Sequence, residues 1–208
     1  QAFDREINNT TDHSDLTVPI MKFSRAEMLV AKNTIADLKN VQRKQKTVIF
    51  QPFGRGAKIE RDEIFDEESR SLDPKSYIAL VKKLAVRYNM IFFGEPQFQM
   101  KADTYAANYT CDLRQWGALI AEVDYFIGVD SVGQHMARAI GKPGTVIIGS
   151  TFPVNTTYPD HFNIIEKAGV RKYSPIRITG LDAVLANRIN EDTMRFSDKE
   201  LNEIYSNI

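Results

Sequence analysis

Asp130, Ser131, Gly133 and His135 fall within six consecutive residues, DSVGQH, directly behind the apolar run Tyr125–Val129 (YFIGV). A strand ending at Val129 and a helix opening at Asp130-Ser131 would leave free N–H groups pointing outward. Such a helix terminus holds phosphate through backbone donors and the helix dipole. Gly133 would let a ligand come close to the first turn. His135, four residues after Ser131, projects from the same helical face. The plainer reading makes Asp130 an N-cap and His135 an ordinary helix residue.

A second group brackets a long polar stretch. Gln51-Pro52-Phe53-Gly54-Arg55-Gly56 opens it, and Ser69-Arg70-Ser71-Leu72-Asp73-Pro74 closes it. A lone G-x-G says little, because flexible loops carry it too. Arg70 offers a planar fork that matches phosphate oxygens two at a time. Arg55 is a second, weaker phosphate candidate, since loop arginines are commonly solvated. Glu95, after Phe93-Gly94, is either a partner for ribose hydroxyls or a surface carboxylate. Trp116 shares a helix face with Leu119 and Ile120 and reads as core.

These residues need elements to hold them. Ser24 and Glu27 form a capping box, Phe23 and Met28 its hydrophobic staple, and Met28, Ala31, Ile35 and Leu38 follow at helical spacing. That predicts a helix over 24–40. Residues 47–51 predict a buried strand, and the polar stretch 52–72 a long loop of the kind that is functional or disordered. Asp73-Pro74 starts a helix whose face runs through Tyr77, Leu80, Val81, Leu84 and Tyr88. Strands are expected at 90–93, Tyr125–Val129 and 145–149, with fainter ones at 162–165 and 176–178. Helices are expected at 112–123 and 131–140, the latter stopped by Gly141, and a second capping box at Ser197 and Glu200 opens a terminal helix at 197–206.

Short apolar strands alternating with amphipathic helices specify an α/β, Rossmann-like parallel sheet with helices on both faces. Ligands in such sheets sit at the carboxyl ends of the strands. The loops after Gln51, Phe93, Val129 and Gly149 should therefore share one edge.

Composition narrows the chemistry. Twenty-seven basic and twenty-seven acidic residues cancel among 208, so no long-range field draws in nucleic acid or an anionic membrane. Any phosphate must be held by local geometry. Cys111 is the only cysteine, which excludes a disulfide or a cysteine-based zinc site and suits a reducing, cytoplasmic setting. No run of about 18 apolar residues is present to form a transmembrane segment. Residues 1–22, polar and aperiodic, read as a linker left from a longer chain, and 23–208 as one Rossmann-like domain.

From Asp130 to Pro153 the chain resembles glycosyltransferase family 9, the heptosyltransferase-like group. That family carries D-[ST]-G-x-x-H, alternating alanines, G-x-P, an apolar strand and G-x-T-x-P. Here stand Asp130-Ser131-x-x-x-His135, Ala137, Ala139, Gly141-Lys142-Pro143, a strand and Gly149-x-Thr151-x-Pro153. One position departs: Val132 replaces the glycine after D-[ST], and Gly133 follows it.

The resemblance implies the C-terminal, donor-binding half of a GT-B glycosyltransferase, a nucleotide-sugar-binding domain. It implies that Asp130 meets donor-sugar hydroxyls while the amides of Ser131, Val132 and Gly133 hold the diphosphate, supported by His135. Gly54 lies in the family's glycine-bearing loop, Arg70 takes the place of its phosphate-binding lysine, and Thr151 adds to the charge-bearing set. Glu95 falls near the nucleoside. The helix 24–40 would join this half to a missing N-terminal domain that binds the acceptor (glycan, lipid or protein) and supplies the base. The implied activity is transfer of a sugar from a nucleotide diphosphate, ADP-heptose being the family's best-known donor, with no metal, no cofactor and no catalytic residue in this piece beyond His135 as a weak candidate. Alone, the piece should bind donor without completing transfer.

Absences support this. The chain has no P-loop, no G-x-G-x-x-G behind a strand, no D-x-D triplet and no G-x-S-x-G elbow. A nucleotide-sugar epimerase on the same fold and a non-catalytic binding module stand as alternatives.

Overall fold

The computed structural model describes residues 18–54, 57–60, 63–66, 70–93, 107–109, 111–170, 172 and 193–208. Helix α1 (Arg25–Gln42) starts on the Ser24 capping box, with both reciprocal hydrogen bonds made, and buries Ala31, Ile35 and Leu38. It ends at Arg43, held in the left-handed region at φ 58°. Strand β1 (Lys46–Gln51) is buried throughout after its first residue. Two three-residue strands follow, β2 (Lys58–Glu60) and β3 (Glu63–Phe65), paired antiparallel as a separate small hairpin.

Helix α2 (Pro74–Leu84) is capped by Asp73, whose carboxylate accepts from Lys75 and Ser76 N–H, and has proline in its first turn. Strands β4 (Tyr88–Phe93) and β5 (Ala107–Tyr109) and helix α3 (Leu113–Glu122) come next. Then follow β6 (Tyr125–Val129), α4 (Val132–Ile140), β7 (Gly144–Ile148), the single turn α5 (Pro153–Thr156) and β8 (Asn163–Glu166). Helix α6 (Asp198–Ser206) opens on the Ser197–Glu200 capping box.

Six strands make one parallel sheet in the order β5-β4-β1-β6-β7-β8. Counted by appearance in the chain, that order is 3-2-1-4-5-6, the doubly wound Rossmann arrangement. The alternation of strand side chains divides the core in two. Val48, Phe50, Met90, Phe92, Ile127 and Ile147 face α2 and α6, packing on Tyr77, Leu80, Leu84, Leu201 and Ile204. Ile49, Ile91, Phe93, Phe126, Val146 and Ile148 face α1, α3 and α4. Both faces are covered, as the uninterrupted apolar strands require. Trp116 is core, 5% exposed and stacked on Phe93.

Several expectations change. The stretch expected as a plain loop contains the β2–β3 hairpin, whose strands are too short and charged to show a period. Tyr88 does not continue the α2 face: the helix ends at Leu84 and Tyr88 begins β4. Strand β5 and the turn α5 were not anticipated, and the faint strand near 162–165 is β8, an edge of the main sheet. Met21, within the segment expected to be linker, donates its N–H to Ala139 O at 3.1 Å and packs with Phe23 against the α1–α3 core. The expected strand at 176–178 lies outside the described residues, as do Arg55, Gly56 and Glu95.

Candidate functional site

The sheet reverses its winding between β1 and β6, which pair through Gln51↔Gly128 at their carboxyl ends. Chains leaving such neighbours diverge to opposite faces and open a crevice at the point of reversal. Gln51, 2% exposed, bridges that point. Its Nε2 donates to Ser131 Oγ at 2.9 Å and its Oε1 accepts the Gly133 N–H at 3.1 Å. Ser131 is the N-cap of α4 but makes no side-chain cap bond. A glutamine from β1 does that work instead.

This changes the part Gly133 plays. A Cβ there would stand 2.3 Å from Gln51 Oε1 and 3.0 Å from the Phe126 ring. Gln51 and Phe126 fill the space a side chain would take, and the Gly133 amide donates to Gln51. Val132, the first helical residue, lies at the surface, 41% exposed.

Asp130 sits just past the end of β6, 6% exposed. Gln134 Nε2 donates to its Oδ1 at 3.1 Å, and Thr151 Oγ1 to its Oδ2 at 3.5 Å. The same Gln134 nitrogen donates to Thr156 O at 2.8 Å, tying α4 to the α5 turn. Arg70 completes the group: its Nε lies 3.6 Å from Asp130 Oδ2, with about a quarter of the side chain open to solvent. A partly exposed cation beside a nearly buried carboxylate is placed where an anion could reach it.

The loop carrying Arg70 is closed on β1. Leu72 donates its N–H to Pro52 O at 2.9 Å, and Gly54 donates its N–H to Ser71 Oγ at 3.0 Å. A Cβ on Gly54 would lie 3.3 Å from Asp66 Oδ2 and 3.7 Å from Arg70 Cβ. Gly54 is thus the point of close approach between the two loops.

His135 stands one turn along α4, with Nδ1 2.9 Å from the Tyr158 hydroxyl and its ring edge-on to that tyrosine. Loss of surrounding water lowers its pKa below 6.5; the Asp130 carboxylate pulls it up and Arg70 pushes it down. Burial thus favours the neutral imidazole, which feels both charges of the site.

Arg70, Asp130, Thr151, Ser131 and Gly54, drawn from four segments, therefore meet at one edge. His135 borders them, and Val132 lies at the surface of the same helix start. Gln51 and Gln134 were not anticipated as site residues. Gln134 follows the DSVGQH spacing and had a signal of sorts; Gln51 matters only through the sheet reversal. Among the described residues no group of three or more His, Cys, Asp or Glu could hold a metal ion. No described helix is long and apolar enough to cross a membrane.

No family model matches the chain, and no curated protein matches it significantly. Solved structures do. The ADP-heptose LPS heptosyltransferase II of E. coli aligns over 92% of this chain and 56% of its own, with 17% identity and a TM-score of 0.51. A glycosyltransferase family 9 protein of Veillonella parvula DSM 2008 aligns over 73% and 44%, with 14% identity and a TM-score of 0.49. The iron-containing dodecameric glycosyltransferase TibC of enterotoxigenic E. coli H10407 aligns over 77% and 45%, with 13% identity and a TM-score of 0.47. The first of these shows that the chain shares the α/β fold of about half of that structure. The chain spans about half the length of the structures it matches.

Proposed function

We propose that this chain is the donor-binding half of a GT-B glycosyltransferase, holding a nucleotide diphosphate sugar for transfer to an acceptor hydroxyl. The observation that carries the reading is the meeting of Arg70, Asp130 and Thr151 at the point where the sheet reverses. In this reading Arg70 and the α4 terminus at Ser131 and Val132 stabilise the charge of the departing diphosphate. Asp130, fixed by Gln134, orients sugar hydroxyls. Thr151 can turn its hydroxyl from Asp130 to a ligand oxygen. The nucleoside falls toward the carboxyl end of β4, which Glu95 follows in sequence. An opposing N-terminal domain binds the acceptor and takes its proton.

The reading assigns the leaving-group charge to Arg70 and backbone donors, so a metal ion has no step to perform. An ADP-linked heptose is the first donor to test, since the matched E. coli enzyme is named for it. Calorimetric titration with ADP, UDP and GDP, each with and without EDTA, checks the reading. Binding of at least one diphosphate that survives EDTA is expected. Binding abolished by EDTA would overturn the assignment.

One observation favours a second reading, a binding module without turnover. The Gly133 amide is engaged by Gln51, so the α4 terminus offers one fewer backbone donor to a leaving group. Donor bound but never consumed after the chain is joined to an acceptor domain would select it.

A further inference from the structure

The β2–β3 hairpin has no part in the main sheet, yet it ends one residue before a buried carboxylate. Asp66 is 2% exposed. Its Oδ2 accepts from Ser71 Oγ at 2.5 Å, from Ser71 N at 3.0 Å and from Arg70 N at 3.3 Å. Ser71 Oγ in turn accepts the Gly54 N–H at 3.0 Å. A relay of hydrogen bonds therefore runs from the loop after β1, through Ser71, to Asp66. Ile64 of β3, 5% exposed, seats the hairpin in the core alongside Phe53 and Leu72.

We propose that Asp66 is a positioning residue for Arg70. It grips the Arg70 and Ser71 backbone, and the hairpin is the element that delivers it. Three donors converging on one buried carboxylate oxygen form charge-assisted bonds, stronger than neutral ones and strengthened again by burial. They fix the Cα from which the Arg70 side chain reaches Asp130 Oδ2 at 3.6 Å. A long, flexible cation loses less freedom on gripping an anion when its backbone is already set. Asp66 need not touch the ligand to govern how well Arg70 does.

The proposal rests on Arg70 being a phosphate ligand, so the test keeps the two apart. ADP, inorganic pyrophosphate and adenosine are titrated calorimetrically into the wild-type chain, Asp66→Ala, Asp66→Asn, Arg70→Ala and the Asp66→Ala/Arg70→Ala pair. Asp66→Ala is expected to weaken ADP and pyrophosphate about tenfold, an effect of roughly 1.4 kcal/mol, and to leave adenosine unchanged. Asp66→Asn, whose carboxamide oxygen still accepts the two N–H groups, should recover most of that loss. The double variant should bind no more weakly than Arg70→Ala alone, because Asp66 acts only through that side chain. Ser71→Ala, which breaks the relay without touching a charge, should weaken pyrophosphate about threefold and carries the test if Asp66→Ala does not fold. Arg70→Ala weakening ADP while Asp66→Ala and Ser71→Ala bind normally would overturn the positioning role alone. Losses that add in the double variant, or that extend equally to adenosine, would also overturn it. Arg70→Ala binding ADP normally would overturn the phosphate assignment, and the positioning role with it.

Discussion

The Gln51 carboxamide oxygen accepts the Gly133 N–H at 3.1 Å across the reversal point of the sheet. Residues 82 apart in sequence are thereby joined at the start of α4. Gln51→Ala should lower stability by about 1–3 kcal/mol, because it strands a buried donor and removes the bond to Ser131 Oγ. Gly133→Ala should also destabilise, by about 1–3 kcal/mol, since its Cβ meets Gln51 and the Phe126 ring. Urea denaturation of both variants measures this. Wild-type midpoints would show that the bridge contributes nothing.

Arg70 is the cation beside Asp130, with about a quarter of its side chain exposed. Arg70→Ala should weaken nucleoside diphosphate binding by about 1.5–3 kcal/mol, the scale of a hydrogen bond to a charged group. Adenosine should be affected far less. Equal losses for ADP and adenosine, read by calorimetry, would move Arg70 away from the phosphates.

His135 should titrate below 6.5 in the free protein, because desolvation and Arg70 outweigh the pull of Asp130. The unfolded chain then binds more protons than the folded one in the interval below 6.5. Stability should rise with pH through that interval and level off above it. Asp130→Asn should depress the His135 pKa further by removing the carboxylate. Histidine NMR titration of both proteins reads this directly, and a His135 pKa at or above 6.5 in the wild type would contradict it.

Glu200 provides a control outside the proposed site. Burial alone would raise its pKa, but bonds from Ser197, Lys167 and the Ala168 N–H hold it at about 2, against an ordinary 4.5. Its contribution is present above about 4.5 and fades as pH falls toward 2. Glu200→Gln should flatten the acid limb of the thermal-unfolding profile over that range. An unchanged acid limb would show that the α6 cap carries no pH-linked stability.

Local chemistry made much of this structure legible. The Ser24, Asp73 and Ser197 caps are written in adjacent residues, so three helix starts were readable. So were the continuous apolar strands that demand cover on both faces. Asp130 and Thr151 could be singled out because a long motif spaces them, and Arg70 because it takes the place of the resembled family's phosphate-binding lysine. What stayed hidden depends on tertiary pairing. The three-residue strands β2, β3 and β5 carry no period of their own and form because a partner is present. Gln51 looked like the last residue of a strand, and its role arises only when β6 docks beside β1. Gly133 was readable as a close approach; whether a ligand or Gln51 makes that approach is decided by the fold.

In the proposed function, one edge of the sheet, at the reversal point, receives a nucleoside diphosphate. Backbone and arginine NMR of the 208-residue chain, titrated with ADP and with EDTA present, tests it most directly. Shifts are expected to centre on Gly54, Arg70, Asp130, Ser131, Val132 and Thr151, with the Arg70 Nε–H among the largest. Saturable binding whose shifts gather elsewhere, leaving Arg70 and Ser131 unmoved, would contradict it.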